Sequence, residues 1–226
     1  MENPQDISGL YFPLAGKHAL KSVVTPSLAG DAKTDQNHFL STPKSIRNLS
    51  DDLDSRNFML VSDGELWSAT GMSAAQWAER FTDKEEKVTL TGSRMKQITI
   101  RQHGKKPLQA EVTIISLLES PAELMSVKIT NTGSDAITFT PVAAIPVYGR
   151  SADNLRDHRH VTSMLHRAVI TKYGLSLTPT LAFDERGHVP GDTTYFVYGA
   201  DEAGSTPVSF LGDTDQYIGE GGNFLR

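Results

Sequence analysis

From residue 87 to residue 144 apolar and polar positions alternate in short bursts, at residues 88–90, 98–100, 112–114 and 127–129. A period of two puts every second side chain on one face of an extended strand. Gly92, Gly104 and the turn Asn131-Thr132-Gly133-Ser134 separate the bursts, and no helix-length crossover lies between them. Strands joined this closely run antiparallel, and a sheet of this size must stack on another to bury its apolar face. Upstream, Phe58-Met59-Leu60-Val61 and Glu65-Leu66-Trp67-Ser68 flank Asp63-Gly64. That predicts a hairpin, because Asp-Gly accepts the positive φ of a tight turn, and places Trp67 in the core. Ser73-Ala74-Ala75-Gln76 has the spacing of a capping box and opens a short helix through about Phe81. Its Trp77 and Phe81, four apart, are expected to pin it to a sheet.

Residues 3–47 carry many turn formers, among them Asn3-Pro4, Ser8-Gly9, Phe12-Pro13, Thr25-Pro26 and Ala29-Gly30, and read as short strands wrapped around a body. Further strands are expected at 165–170, 175–183 and 193–199, with a turn at Asp184-Glu185-Arg186-Gly187. Residues 213–226 have loop character and include no final strand. The fold expected is all-β, a large antiparallel β-sandwich with one short helix. It is read as a single domain over residues 1–226, truncated at its C-terminal end.

Composition narrows the picture only in part. Hydrophobic residues make up 38% of the chain and charged residues 22%, the profile of a globular protein with a real core. A net charge of −5 argues against broad attraction to nucleic acid or anionic lipid. With no cysteine, disulfides and thiolate metal sites are excluded. The N-terminus has neither the basic nor the long apolar region of a secretory signal, and no apolar run is long enough to span a bilayer. A cytoplasmic location is expected.

The densest chemistry lies in residues 149–166, GRSADNLRDHRHVTSMLH, set between β-type segments. A β-domain interrupted by so many hydrogen-bonding groups presents them to a ligand, unless the stretch is simply a solvated connection. A metal site could be drawn from His158, His160, His166 and Asp157, with His158 and His160 facing the same way on an extended backbone as zinc sites use, but Arg156 and Arg159 beside them suit an anion or a polyhydroxyl ligand better than a cation. A second polar cluster, residues 30–38, contains Asp31, Asp35 and His38, and reads as an Asx-rich turn rather than a calcium loop. There is no Gly-x-Ser-x-Gly elbow, phosphate loop or dinucleotide fingerprint.

Several segments, in order, resemble the N-terminal domain of the inverting cellobiose and chitobiose phosphorylases, glycoside hydrolase family 94. They are Tyr11-Phe12-Pro13-Leu14, Gly30-Asp31 with Thr34-Asp35-Gln36-Asn37, Arg56-Asn57-Phe58, Asp63-Gly64 with Trp67-Ser68, and Val127-Lys128-Ile129-Thr130-Asn131-Thr132. Tyr148-Gly149-Arg150-Ser151-Ala152-Asp153-Asn154, Arg156-Asp157-His158-Arg159-His160-Val161-Thr162-Ser163 and Tyr217-Ile218-Gly219 complete the set. Their wording is most similar to the β-1,2-oligoglucan phosphorylases and the phosphorylase-like part of cyclic β-1,2-glucan synthases.

The resemblance implies a galactose-mutarotase-like sandwich joined to a helical α/α-barrel that supplies the catalytic Asp. That barrel has no counterpart in this chain, so the chain alone is expected to be inactive. In such enzymes inorganic phosphate is the co-substrate and no other cofactor is implied. The loop matching Arg156, Asp157, His158, Arg159 and His160 approaches the oligosaccharide cleft, in dimers from the neighbouring subunit. Those five residues are therefore the expected substrate-binding set, with bracing of a partner subunit as the competing role for Asp157 and Arg159. A free-standing carbohydrate-binding module is the alternative, and would need an exposed aromatic platform; both tryptophans read as core.

Overall fold

The structure, a computed structural model, describes residues 1–7, 9–17, 20–49, 55–93, 95–155, 164–184, 187–219 and 221–222. The regular structure of the described residues is predominantly β-strand, in sheets built from antiparallel pairs. In chain order the strands begin with β1 (Phe12–Ala15), β2 (Lys21–Val24), β3 (Ala32–Lys33), β4 (Asn57–Ser62) and β5 (Glu65–Ser68). Next come β6 (Val88–Gly92), β7 (Lys96–Gln102), β8 (Leu108–Ser116), β9 (Glu123–Asn131) and β10 (Thr140–Ala144). The last are β11 (His166–Ile170), β12 (Gly174–Pro179), β13 (Leu181–Asp184), β14 (Gly187–Pro190) and β15 (Tyr195–Tyr198). Two short α-helices accompany them, α1 (Ala74–Glu79) and α2 (Thr214–Ile218). Among the described residues no helix is long and apolar enough to cross a membrane.

The chain forms two compact units, one chiefly Met1–Gly30 with Lys44–Ile145, the other chiefly Asp31–Pro43 with Pro146–Gly221. In the first, β6-β7-β8-β9 make a four-stranded meander and β10-β4-β5 a three-stranded sheet, beside the β1–β2 pair. Leu14, Val24, Leu60, Trp67, Val112 and Ile114 meet in one core, so all three groups of strands turn an apolar face to it. Each such side chain contributes roughly 1.5–3 kcal/mol of burial. This is the sandwich-like packing expected of stacked antiparallel sheets.

The Asp63-Gly64 turn closes β4 onto β5, with φ of 54° and 77° at the two residues and Met59 paired with Ser68. Strand β7 departs from the apolar-inward expectation. Its buried positions are Gln97, Thr99 and Arg101, while Ile98 and Ile100 are only half-buried on the other face. The exchange works because the inward polar groups find partners: Gln97 Nε2 donates to Thr25 O at 2.8 Å, and Arg101 donates to Glu86 and to Thr70 O.

Helix α1 has its capping box, Ser73 Oγ accepting from Gln76 N. Aromatic residues do not pin it, however. Phe81 is 70% exposed and Trp77 half-buried under the Arg80 guanidinium, whereas Gln76 is the helix's buried residue. Gln76 fixes the helix through polar bonds, accepting from Ser68 N and donating to Ser68 O and Glu86 Oε2. The tail read as loop contains α2, whose N-cap Asp213 accepts from Asp215 N.

In the second unit β12 is central, flanked by β11 and β15, and β13–β14 form a separate hairpin. Strand β3 and Phe39 make a small bridged loop that also pairs with Arg150.

Candidate functional site

The described part of the polar stretch is anchored at both ends in the second unit. Its beginning is tied to the earlier polar cluster by backbone bonds: Tyr148 N to Leu40 O at 2.7 Å, Gly149 N to Phe39 O at 2.9 Å, Phe39 N to Arg150 O at 3.0 Å and Ala152 N to Gln36 O at 3.1 Å. Phe39, 2% exposed, plugs the junction. Gly149 must be glycine: its φ is 62°, and a Cβ there would lie 2.8 Å from Leu177 Cδ2. Side chains lock the next turn. Tyr148 donates from its hydroxyl to Ser151 O, and Ser151 Oγ donates to Asn154 Oδ1 within a 3₁₀ turn at Ala152–Leu155.

Around this anchor stand several groups with altered proton affinity. Arg150, its guanidinium 4.2 Å from the Tyr148 ring, has its pKa lowered by burial, an effect the phenol opposes. His166 opens β11 at the other end of the stretch. Burial and the positive charge of Arg150 push its imidazole down to about 4, and its Nε2 has no hydrogen-bond partner among the described residues. It is therefore neutral near pH 7. Tyr195, 6% exposed, has its phenol raised by burial and by Asp35 and Asp192. Burial would raise Asp35, but bonds from His38 and from Asn37 N outweigh it and hold the carboxyl low. This is the Asx turn expected of residues 30–38.

A cation, an uncharged imidazole and phenol groups suit hydrogen bonding to hydroxyls more than holding a metal. Among the described residues no three His, Cys, Asp or Glu side chains are grouped to bind a metal ion. The expected substrate-binding residues Arg156, Asp157, His158, Arg159 and His160 lie outside the described residues, as do three of the four candidate metal ligands. Of the sequence candidates, His166 alone among those ligands is placed. Tyr195 was missed because YFVY is apolar throughout and does not reveal its inward positions.

The first unit holds a second polar cluster that sequence reasoning did not find. Glu86, 8% exposed, accepts from Trp67 Nε1 at 2.8 Å, Gln76 Nε2 at 2.7 Å, Gly104 N at 2.9 Å and Arg101 Nη1 at 3.4 Å. His103 stacks on Trp67 at 4.9 Å, its pKa lowered by burial against the opposing pull of Glu86. Gln5, Thr25, Thr70 and Arg101 line an adjoining cleft of about 60 Å³. Ligand pockets run to roughly 300–1,000 Å³, so this one is sized for water, and the cluster is a structural hub. Arg56 is another such hub, 5% exposed, paired with Glu123 and donating to Leu28 O and Gly30 O.

No family model matches the chain, and no curated protein matches it.

Proposed function

We propose that the chain is the N-terminal β-sandwich part of an inverting glycoside phosphorylase that acts on β-linked glucose oligosaccharides. It lends the substrate cleft Arg156, Asp157, His158, Arg159 and His160 and contributes oligomer contacts. One observation carries the reading. Residues 30–37 and 148–154, two segments of the resemblance more than a hundred positions apart, are bonded to each other through Ala152 N and Gln36 O, with Phe39 and Leu40 continuing the ladder. This pairing fixes the backbone up to Ala152, from which the chain runs on to residues 156–160.

Arginine and aspartate make paired hydrogen bonds to sugar diols, and histidine can donate or accept. The reaction needs an Asp of the accompanying helical barrel to protonate the glycosidic oxygen while inorganic phosphate attacks the anomeric carbon, giving an α-sugar 1-phosphate. The chain alone performs no such step. A cytoplasmic homodimer, with the loop reaching a neighbouring cleft, belongs to the same reading.

The test uses the full protein encoded by the gene, incubated with inorganic phosphate and β-linked glucose disaccharides of each linkage. Phosphate-dependent formation of α-glucose 1-phosphate is expected, with kcat/KM reduced about tenfold or more by Arg156→Ala or His158→Ala, a loss of one or more charge-assisted bonds. Release of glucose without consumption of phosphate would sink the reading.

A further inference from the structure

The two faces of the β11–β12–β15 sheet differ at its centre and at β15, although Ile170, at one end of β11 on the side of Leu177 and Tyr195, is itself 63% exposed. Pairing of Arg167 with Thr178, Val169 with Ser176, and Ser176 with Phe196 puts these five residues on the same side, and Gly174 pairs with Tyr198 on that side too. The opposite side carries Leu177 and Tyr195, which pack against Gly149. On the open side Val169 is 59% exposed, Phe196 53%, Tyr198 48% and Tyr173, in the β11–β12 turn, 51%.

Rings and hydroxyls are interleaved there. Phe196 lies 4.8 Å from Tyr198, and Tyr198 6.3 Å from Tyr173, centroid to centroid. Ser176 Oγ is 2.9 Å from the Tyr198 hydroxyl, and Thr178 Oγ1 is 2.8 Å from Thr194 Oγ1. Each hydroxyl pair spends one proton internally and keeps a second proton and spare lone pairs for a ligand. Lys172 and Arg167 add cationic donors, and none of the three strands contains Asp or Glu.

We propose that this open face binds a soluble chain of neutral pyranose sugars, the C–H faces of the rings lying on Phe196, Tyr198 and Tyr173 and their hydroxyls bonding Ser176, Thr178 and Arg167. Arg167 donates from Nη1 to Met164 O and His166 O and meets no carboxylate from the three strands, so a covering protein layer would bury its charge without a counter-charge from this sheet. Sugar hydroxyls satisfy a guanidinium without that cost, and aromatic rings with polar neighbours are the chemistry that holds them. The ring planes are inclined by 33° and 51°, so the platform is bent. It fits a twisted, soluble glucan and cannot lie flat on a crystalline polysaccharide surface.

The proposed face is built without residues 156–160 and does not depend on the phosphorylase reading. The 226-residue chain is titrated calorimetrically with linear β-1,2- and β-1,3-linked glucose hexasaccharides, and mixed with microcrystalline cellulose and with polygalacturonate. Binding of a neutral hexasaccharide is expected. It should weaken about tenfold or more in Tyr198→Ala and Phe196→Ala and recover in Tyr198→Phe, since a lost ring contact is worth about one decade of affinity. Both positions are exposed, and the thermal midpoint of each variant checks that it stays folded.

Four results would each overturn the proposal. They are no glycan binding, glycan binding unchanged in both Tyr198→Ala and Phe196→Ala, capture only of polygalacturonate in low salt, and self-association relieved by Tyr198→Ala without glycan binding.

Discussion

Glu86 and Arg101 neutralise each other where water scarcely reaches, at 8% and 7% exposure. Replacing Glu86 by Gln keeps most of the side chain's shape and strands the guanidinium without its counter-charge. Such a change costs about 3–5 kcal/mol, far more than an exposed ion pair contributes. Urea unfolding followed by tryptophan fluorescence should show that loss, and Glu86→Gln/Arg101→Gln should regain part of it; a midpoint unchanged in Glu86→Gln would refute the hub. His166 gives the complementary case. The folded chain resists protonation of this ring down to about 4, while the unfolded chain takes the proton near 6.5. Its contribution is therefore complete above about pH 6.5 and declines as pH falls toward 4. His166→Gln should flatten the fall in thermal midpoint between pH 6.5 and pH 4, and parallel curves for the two proteins would count against the assignment.

At the scale of elements, α1 hangs on Ser73 and Gln76. Ser73→Ala removes the cap and should lower stability by about 1 kcal/mol. Gln76→Leu should cost more, because it also removes the acceptor of Ser68 N and one donor each from Ser68 O and Glu86, and the same urea curves rank the two. The cap and the Asp63-Gly64 hairpin were legible because their signals are local: a fixed spacing and a turn dipeptide. The orientation of β7 was not. Alternation distinguishes two faces of a strand but not which is inward, and Gln97 and Arg101 face the core only because Thr25 and Glu86 meet them there. Helix α2, five residues under an Asp213 cap, is too short to carry a periodic signal. For the candidate site the sequence marked where the polar stretch begins and ends, at Gly149 and His166. The exposed rings of β15 were not legible, because Tyr195-Phe196-Val197-Tyr198 is apolar at every position and carries no alternation to mark its outward side, whereas Trp67 is core as its hairpin implied.

At the scale of the whole molecule, neither unit is continuous in sequence. The second takes Asp31–Pro43 from early in the chain and the remainder from Pro146 onward, while the first resumes at Lys44. On a ribosome this ordering becomes a delay. At about 5–20 residues per second, the roughly 110 residues from Phe39 to Arg150 take about 5–20 s to emerge. For that interval the apolar Phe39 ring waits without the backbone that will cover it. The first unit's meander β6-β7-β8-β9, made of adjacent hairpins, can pair as it appears. The nascent chain thus passes through a stage with one unit assembled and a sticky, unpartnered strap, the stage at which a chaperone or a neighbouring nascent chain would find it.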